Sequence, residues 1–575
     1  MMTESFFVSR SKKKASRVWR IADSAPRKQA ENYLRSCDTP LAINCVPPRD
    51  TFHASRFTVF LLATALSLSL SLALSQAASP GLADRVVERK LPNGLTVLMV
   101  ERHQTPVVSL NMTFGVGGVN EQMGQTGLAH LYEHMAFKGT RTVGTKNFEK
   151  EQPLLEEWFR VGTELEQRQR ELTRKNQGRT ASPEDRAVIE GLQKRFTDLQ
   201  DQAGQFVAGN EMALLYQRHG GVGLNASTGK DLTRYMISLP ANRLPLWAAL
   251  EADRMAHPVL REFYKERGVV MEERRMRNDD SASGLLYETF TSAAFRAHPY
   301  GIPTIGWESD ILSLTPADTE AFFKAHYGPG NATIAIVGDI DPKDVMTLIE
   351  QTFGKIPASP PQPQLVTVEP PQRGERRVEV EFDAEPSMVI GFHKPALGHS
   401  DDYIFDVIDA VLSDGLTSRL YTSLVREKRI AASVSSDSNY PGVRAPNLFV
   451  IGATPLAPHT TAEVEAAIYA ELERIKTEPI SPKEMEKVLN NLDADLVRAL
   501  RSNGGLASQL ALYQTVAGDW RYALKARDKI ATVTAADVQR VASEYFTKSN
   551  RTVATLVKKT GDKTSAMVPQ REVAR

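Results

Sequence analysis

Cysteine is almost absent from this chain, which has only Cys37 and Cys45 among its 575 residues. Both lie in an N-terminal segment that we expect to be missing from the mature protein. The mature chain then has no disulfide bond, no cysteine-ligated zinc and no cysteine nucleophile. An exported protein without thiols suits an oxidising compartment.

The chain also lacks an excess of charge of either sign, because its net charge is only +1. The first 56 residues contain eleven Lys and Arg against five Asp and Glu, which leaves the rest at a net charge of −5. A nucleic-acid partner is therefore not expected. Apolar content of 42% and charged content of 24% are those of a globular protein, and the length allows about two to four domains.

One long hydrophobic run occurs near the N-terminus. Residues 57–74 are uncharged and apolar, Arg56 precedes them, and small residues follow as far as Ser79. This pattern predicts a signal peptide over 57–78 and an exported protein, either periplasmic or secreted. The same run is long enough to anchor the chain in a membrane, which remains the alternative. Residues 1–56 are interpreted as a disordered extension or a mis-assigned start.

The body of the chain alternates β-rich and helical segments. Pro92–Gly94 predicts a tight turn between two strands, residues 107–119 a further strand, and residues 127–139 a helix. Residues 148–208 are rich in charged residues and Leu at helical spacing, which predicts a long antiparallel helical hairpin inserted in the first domain. We expect it to be a solvated arm, with a partner-binding site as the alternative.

The two halves of the body share a faint repeat. Thr315-Pro-Ala-Asp precedes Asn331-Ala-Thr by 16 residues, and Thr534-Ala-Ala-Asp precedes Asn550-Arg-Thr by the same distance. Each pair predicts an N-capped helix that leads into a strand. We therefore predict an α+β fold with two homologous αβ domains, each a mixed or antiparallel sheet covered by helices on one side. The predicted ranges are 85–356, a Pro-rich linker over 357–373, 374–560, and a tail over 561–575.

A metal-binding pattern occurs at His130-Leu-Tyr-Glu133-His134. On a helix, two histidines four residues apart lie on one face and can share a metal ion. Glu133 lies near the same face, where a carboxylate can accept a proton from a zinc-activated water. The pattern predicts a hydrolytic zinc site.

A catalytic zinc usually has three protein ligands, so a third is needed. Glu266 and Glu273 are seven residues apart and share a helix face, with Val269 and Val270 between them, whereas Glu272 points away. A metal would explain two carboxylates on a half-buried face. The alternative is that both are exposed and pair with Arg267 or Arg274.

From residue 85 to 560 the sequence resembles the M16, or pitrilysin-type, metallopeptidases, which have the H-x-x-E-H order of inverzincins. Motifs that carry the resemblance are PNGLTVLMV at 92–100, GLAHLYEHMAFKGT at 127–140, GLNASTGKDLTRY at 223–235, ERGVVMEE at 266–273, HPYGIPTIGWESDI at 298–311, NATIAIVGDIDP at 331–342 and GLTSRLYTSLVREKR at 415–429.

The resemblance implies a zinc endopeptidase acting on peptides or unfolded polypeptides. It implies one Zn²⁺ per chain, held by His130, His134 and Glu273, with Glu133 as the general base and Glu266 steadying a histidine. Asn225 and Ala226 match the edge strand along which substrate is laid, and Arg426 matches a substrate-binding arginine. A dimer is also implied, either of two identical chains or with a paralogous M16 subunit.

Two features depart from the family pattern. Residues 148–208 widen the spacing between His134 and Glu273 to 139 residues, and position 433 is Ser where the family has a Tyr. Either another donor replaces this Tyr or a partner subunit supplies it. The rival interpretations are therefore an enzyme active only beside a metal-less paralogue, and a non-catalytic structural or assembly subunit.

Overall fold

The computed structural model describes residues 81–176 and 182–559. The predicted extension over 1–56, the signal peptide over 57–78 and the tail over 561–575 lie outside the described residues. Within the described ranges no helix has the length and apolar character needed to cross a membrane.

The first half of the body is built on six strands: β1 (Val86–Lys90), β2 (Thr96–Glu101), β3 (Val107–Phe114), β4 (Val222–Thr228), β5 (Thr233–Pro240) and β6 (Ala332–Gly338). Its helices are α1 (Leu82–Arg85), α2 (Leu128–Met135), α3 (Phe148–Asn176), α4 (Pro183–Gly204), α5 (Glu211–Arg218), α6 (Leu244–Ala256), α7 (Phe263–Arg274), α8 (Ala282–Ala294), α9 (Glu308–Ile311), α10 (Pro316–His326) and α11 (Pro342–Gln351). A π-helical turn, Arg275–Asp279, follows α7 directly.

The second half has five strands: β7 (Arg376–Phe382), β8 (Ser387–Lys394), β9 (Ala431–Tyr440), β10 (Asn447–Pro455) and β11 (Arg551–Lys558). Its helices are α12 (Ser400–Ser413), α13 (Thr461–Thr477), α14 (Pro482–Arg501), α15 (Asn503–Ala517), α16 (Tyr522–Ile530) and α17 (Ala535–Tyr545), with a π-helical turn at Tyr421–Glu427. Residues 357–373 contain no helix or strand.

The two sheets have the same topology. The first runs in the order β1-β2-β6-β3-β5-β4 and the second in the order β7-β11-β8-β10-β9. Without β1, each strand of the first sheet has a counterpart in the second. The β2–β6 and β7–β11 pairs are parallel, and the other equivalent pairs are antiparallel. The prediction of an α+β fold with two homologous αβ halves is confirmed.

The repeated helix starts are also confirmed. Thr315 forms a capping box with Asp318 before α10, which leads into β6. Thr534 forms the same box with Asp537 before α17, which leads into β11. Each box satisfies backbone N–H groups that have no partner inside the helix.

The expectation that helices cover the sheets on one side only is wrong. Helix α15 of the second half packs on β3 and β6 of the first sheet, and α8 of the first half packs on β7, β8 and β11 of the second sheet. Alternate residues of β3 are therefore buried on both faces: Leu110 faces the first core, while the amide of Asn111 donates to Ser508 Oγ of α15 at 3.1 Å. Each half thus covers the sheet of the other.

The helical hairpin of residues 148–208 is confirmed as α3 and α4. Ser182 caps α4, with its side chain accepting from Asp185 N, and Pro183 is the first residue of the helix. The hairpin's two ends meet at a β-bridge between Thr145 and Val207. Its base has a core of its own around Trp158, so the base is not the solvated arm that we expected.

Candidate metal centre

The H-x-x-E-H residues lie on α2, whose start is fixed by Gly127 and Glu121. Gly127 has a φ of 91°, which a residue with a side chain would adopt only with strain. The carboxylate of Glu121 accepts hydrogen bonds of 2.8 Å from the backbone N–H groups of Gly127 and Ala129. An acidic group at this end also faces the positive end of the helix dipole. These contacts determine which residues of α2 face inwards.

The inward face of α2 presents His130 and His134 together. Their ring centroids are 4.8 Å apart, and His130 is only 7% exposed. On another face of the helix, Tyr132 stacks on Phe323 and packs on Tyr327, which anchors α2 to α10. The helix is therefore held by its aromatic side while its two imidazoles share a site.

Helix α7 brings Glu273 to the two histidines. One carboxylate oxygen lies 3.2 Å from His134 Nε2, and the other lies 3.7 Å from His130 Nε2. One donor atom from each of the three residues lies within 4.8 Å of the other two, and this is the only such group in the described ranges. The 139-residue separation in sequence is thus closed by the packing of α7 against α2.

This donor set fits a zinc ion. Zinc ligands lie about 2.0–2.2 Å from the metal, so neighbouring donors of a tetrahedral site are about 3.3–3.6 Å apart. The two Glu273 oxygens lie at comparable distances from the histidines, with Oε2 3.2 Å from His134 Nε2 and Oε1 3.7 Å from His130 Nε2. Two imidazoles and a carboxylate are a ligand set found at catalytic zinc sites. The assignment of these residues as ligands remains a proposal.

Glu266 lies behind His134. Its Oε1 is 2.9 Å from His134 Nδ1, and its Oε2 is 2.6 Å from Lys138 Nζ. A carboxylate on the second ring nitrogen of a metal-binding histidine fixes the tautomer and the direction of the ring. Glu266 is placed to keep His134 Nε2 turned towards Glu273.

The electrostatics of the three candidate ligands differ. Burial, helped by the charge of His134, lowers the pKa of His130 to about 4, so this ring is neutral at neutral pH. Burial would also lower the pKa of His134, but hydrogen bonds to Glu266 and Glu273 outweigh it and raise the pKa to about 9. Burial would raise the pKa of Glu273, but the hydrogen bond from His134 and the nearby His130 and Arg277 lower it to about 2.

The inner face of α7 differs in one position from expectation. Glu266 and Val270 are buried and Glu273 has a side-chain exposure of 14%, but Val269 is 45% exposed and does not lie between them on the inner face. Glu272 points to solvent and pairs with Arg275. The alternative pairing of the two candidate carboxylates with Arg267 or Arg274 is not formed, because these arginines bind Glu166 and Glu288.

Two residues that contact the site were not predicted from the sequence. Arg277, in the π-helical turn after α7, places its guanidinium 2.8 Å from Glu273 Oε1. Thr228, at the end of β4, donates a 2.6 Å hydrogen bond to Glu133 Oε2. The four-residue spacing from Glu273 could have indicated Arg277. Thr228 lies three residues after Asn225, within a motif already singled out.

Glu133 is 5% exposed and lies on the same helix as the two histidines. Burial raises the pKa of its carboxyl group, while the hydrogen bond from Thr228 opposes this rise. A carboxylate with a raised pKa is better suited to accept and return a proton near neutral pH.

Asn225 and Ala226 lie on β4, the edge strand of the first sheet. They pair with Met236 and Tyr235 of β5 on one side. In the described part of the chain no strand pairs with the other side of β4. Its backbone is therefore available to an extended peptide, although the side chain of Ala226 is itself buried.

Arg426 is not brought to the histidines by any described contact. Its side chain is 57% exposed, and its one ion pair in the described ranges is with Glu427 at 3.5 Å. Ser433 lies on β9, where it pairs with Thr454. Strand β9 is the counterpart of β4 and likewise an edge strand, so the departure at position 433 falls on the edge of the second sheet.

Two family models match the chain. The model described as Insulinase (Peptidase family M16) matches residues 96–159, which include the H-x-x-E-H motif. The model described as Peptidase M16 inactive domain matches residues 313–492. The second match begins inside the first half and continues into the second, whereas all three residues of the metal cluster precede it.

Known proteins agree with these models. The chain is 29% identical over 475 residues to the zinc protease PqqE of Helicobacter pylori, covering 81% of this chain and 91% of that one. A solved protease from Helicobacter pylori matches with a TM-score of 0.67 and 28% identity, covering 82% of this chain and 99% of the other. A peptidase M16 inactive domain from Pseudomonas fluorescens has a TM-score of 0.64 at 16% identity, with coverage of 83% and 98%, and shows the same fold.

Proposed function

Because the chain belongs to the M16 peptidase family, we propose that it is an exported zinc endopeptidase that hydrolyses peptides or unfolded polypeptides. The observation that supports this most is the convergence of His130, His134 and Glu273 beside Glu133. A relative named as a zinc protease and a solved protease with the same fold support the proposal. The described part of the second half contains no comparable cluster, so the chemistry is assigned to the first half.

His130, His134 and Glu273 would hold one Zn²⁺ per chain. When bound, zinc supplies a Lewis acid that polarises a peptide carbonyl and makes water nucleophilic near neutral pH. Glu133 accepts the proton of the attacking water and passes it to the leaving amine. Thr228 holds one oxygen of Glu133, which fixes the direction of the base. Glu266 keeps His134 in its ligating orientation.

Substrate is held as an added strand on β4. The free side of β4 offers backbone groups at Asn225 and Ala226, and a peptide must be extended to pair with them. Thr228 lies on the same strand, so a bound peptide runs past the base. Most extended segments of a folded protein are already paired within its own sheets, and this favours peptides and unfolded polypeptides.

A second candidate function is an enzyme that is active only in a dimer, either with an identical chain or with a paralogous M16 subunit. The exposure of Arg426 and the Ser at position 433 favour it, because the second half then contributes little to the site of its own chain. A partner would supply the missing hydrogen-bond donor. A purely structural subunit is less well supported, because the three residues of the metal cluster are close together and Glu133 is present beside them.

Export is proposed from the sequence of residues 57–78, and anchoring through residues 57–74 is its alternative. Fractionation of the source cells with an antibody to the body of the chain tests this. A shortened chain in the extracytoplasmic soluble fraction supports cleavage, a membrane-bound chain supports the anchor, and a chain confined to the cytosol contradicts export.

The decisive experiment uses the purified mature chain alone. We expect about one zinc per chain by elemental analysis and cleavage of an internally quenched, unstructured peptide. Glu133→Gln should keep zinc and lose cleavage, since it removes the base and none of the ligands. Zinc without cleavage by the wild-type chain would support the paired enzyme, and adding the candidate paralogue should then restore activity. If the purified chain contains no zinc and cleaves no peptide, the assignment is overturned.

A further inference from the structure

We propose that the base of the α3–α4 hairpin is a positioning element that sets the orientation of α7, and with it Glu266 and Glu273, towards the histidines of α2. This inference rests on the proposed zinc site. It gives the hairpin a role in the site although neither α3 nor α4 carries a candidate ligand.

The first contact is an aromatic socket around Tyr264, which lies two residues before Glu266. Its ring is 5.1 Å from Trp158 of α3 and 5.1 Å from Phe196 of α4, measured between centroids and edge-on in both cases. Trp158 is 2% exposed. Because Tyr264 contacts both helices of the hairpin, α7 cannot rotate without breaking this packing.

A glycine makes the socket possible. A Cβ atom at Gly162 of α3 would lie 2.5 Å from Cζ of Tyr264 and closer still to its hydroxyl oxygen. Contacts this short do not occur in folded proteins, so any larger residue must displace either α3 or the Tyr264 ring. The close approach of α3 to α7 therefore requires glycine at position 162.

The second contact is an ion pair one turn further along α7. Arg267 NH2 lies 2.5 Å from Glu166 Oε1 of α3, and NH1 donates to the backbone oxygen of Leu314 at 2.7 Å. The two charged side chains are 12% and 17% exposed. Shielding from solvent strengthens the Coulomb attraction within such a pair, and loss of one partner leaves the other charge buried and unpaired.

The third contact joins the hairpin to both helices of the site. Arg261, just before α7, is 1% exposed and binds Glu151 of α3, with Nε to Oε1 at 2.7 Å. The same guanidinium donates to the backbone oxygens of Lys138, Thr140 and Val143, in the segment that follows α2. One buried cation therefore ties the hairpin, the exit of α2 and the entry of α7 together.

The test compares the same substitution at two glycines of the hairpin. In Gly162→Ala the new methyl group meets Tyr264, whereas a methyl group at Gly191 of α4 would have no atom within 4 Å, so Gly191→Ala is the matched control. Zinc affinity of the full mature chain is measured by competition with a chromophoric chelator. We expect Gly162→Ala to weaken zinc binding at least about tenfold and Gly191→Ala to leave it unchanged.

A second readout uses the metal-free chain. Hydrogen–deuterium exchange of peptides covering Phe263–Arg274 should be faster in Gly162→Ala and unchanged in Gly191→Ala, while peptides from the second half exchange as in wild type. If the hairpin is only docked on the body and does not orient α7, Gly162→Ala will change neither the zinc affinity nor the exchange of α7.

Glu166→Gln provides an independent arm if Gly162→Ala does not fold. It breaks the ion pair with Arg267, and Glu171→Gln, at an exposed position of the same helix, is its control. Weaker zinc binding in Glu166→Gln alone supports the proposal, and zinc binding equal to wild type overturns it. If wild type itself binds no zinc, the proposed function fails, whereas a zinc-binding, active wild type with unaffected variants refutes only the role of the hairpin.

Discussion

The hydroxyl group of Thr228 donates a 2.6 Å hydrogen bond to Oε2 of Glu133. This contact joins the edge strand proposed to hold substrate to the residue proposed as the base. Because Thr228 is the last residue of β4, we expect a peptide bound to that strand to lie close to the carboxylate.

Thr228→Val should lower kcat by about 10–100-fold, since a hydrogen bond to a charged group contributes about 1.5–3 kcal/mol. Zinc content should stay at the wild-type value, because Thr228 contacts no candidate ligand. Thr228→Ser keeps the hydroxyl group and should retain most activity. Steady-state cleavage of a quenched peptide together with elemental analysis checks this, and equal activity of the Val and Ser variants would contradict it.

Glu266→Gln should weaken zinc binding by about 10–100-fold, the usual effect of losing a carboxylate behind a metal-binding histidine. The neutral amide no longer holds His134 in one tautomer, and Lys138 loses its 2.6 Å partner. Glu272→Gln, on the same helix but with a side chain that is 65% exposed, is the control and should bind zinc like wild type. Chelator competition measures both, and the idea fails if the two variants have equal affinity.

Gly391→Ala should destabilise the chain by about 1–3 kcal/mol through overpacking. A Cβ atom at this position of β8 would overlap Cζ of Phe290, which belongs to α8 of the other half, and would lie 3.2 Å from its Cε2. Phe290→Leu should partly restore stability when combined with Gly391→Ala, because it removes the clashing ring edge. Denaturant midpoints report the effect, with Gly374→Ala, where no atom is within 4 Å, as the neutral control.

Titration of Asp406 should make the folded chain less stable as the pH rises. Burial, followed by the charge of Asp402, raises the pKa of Asp406 to about 7, against 3.8 for the free group. Between about pH 4 and pH 7 the unfolded chain has lost this proton while the folded chain keeps it, so raising the pH through this window favours unfolding. Lys394 of β8 opposes the shift, and Ser438 of β9 donates to the carboxylate at 2.8 Å.

Asp406→Asn removes the titration and leaves an amide that still accepts from Ser438. The advantage of the variant over wild type should be about 1–2 kcal/mol larger at pH 8 than near pH 4.5. This gain is smaller than the roughly 4 kcal/mol that three pKa units represent, because Asp406 keeps some contact with solvent. Unfolding midpoints at the two pH values measure the difference, and an advantage that is the same at both would show that the titration is not responsible.

Local patterns predicted much of the fold and the candidate site. The helix with His130 and His134, the capped helices after Thr315 and Thr534, and the hairpin of residues 148–208 follow from spacing and capping over a few residues. Helix spacing indicated Glu266 and Glu273 as candidates for the third ligand, but the choice of Glu273 required the resemblance, because no local pattern relates residues 139 apart.

Contacts between distant elements could not be predicted in this way. The alternation of polar and apolar residues in β3 is typical of a sheet with one face in solvent. The structure instead buries Asn111 and Thr113 beneath α15, which lies about 390 residues further along the chain. Likewise Val269, expected on the inner face of α7, is 45% exposed, whereas its neighbour Val270 is fully buried.

The exchange of α8 and α15 between the two sheets means that neither half is a complete folding unit. Severing the backbone within residues 357–373 would leave two fragments. Each would lack the helix that covers its own sheet and would contain the helix that covers the sheet of the other fragment. Each half therefore depends on the other to cover its sheet, and we expect the second half to be required for the folding of the half that carries His130, His134 and Glu273.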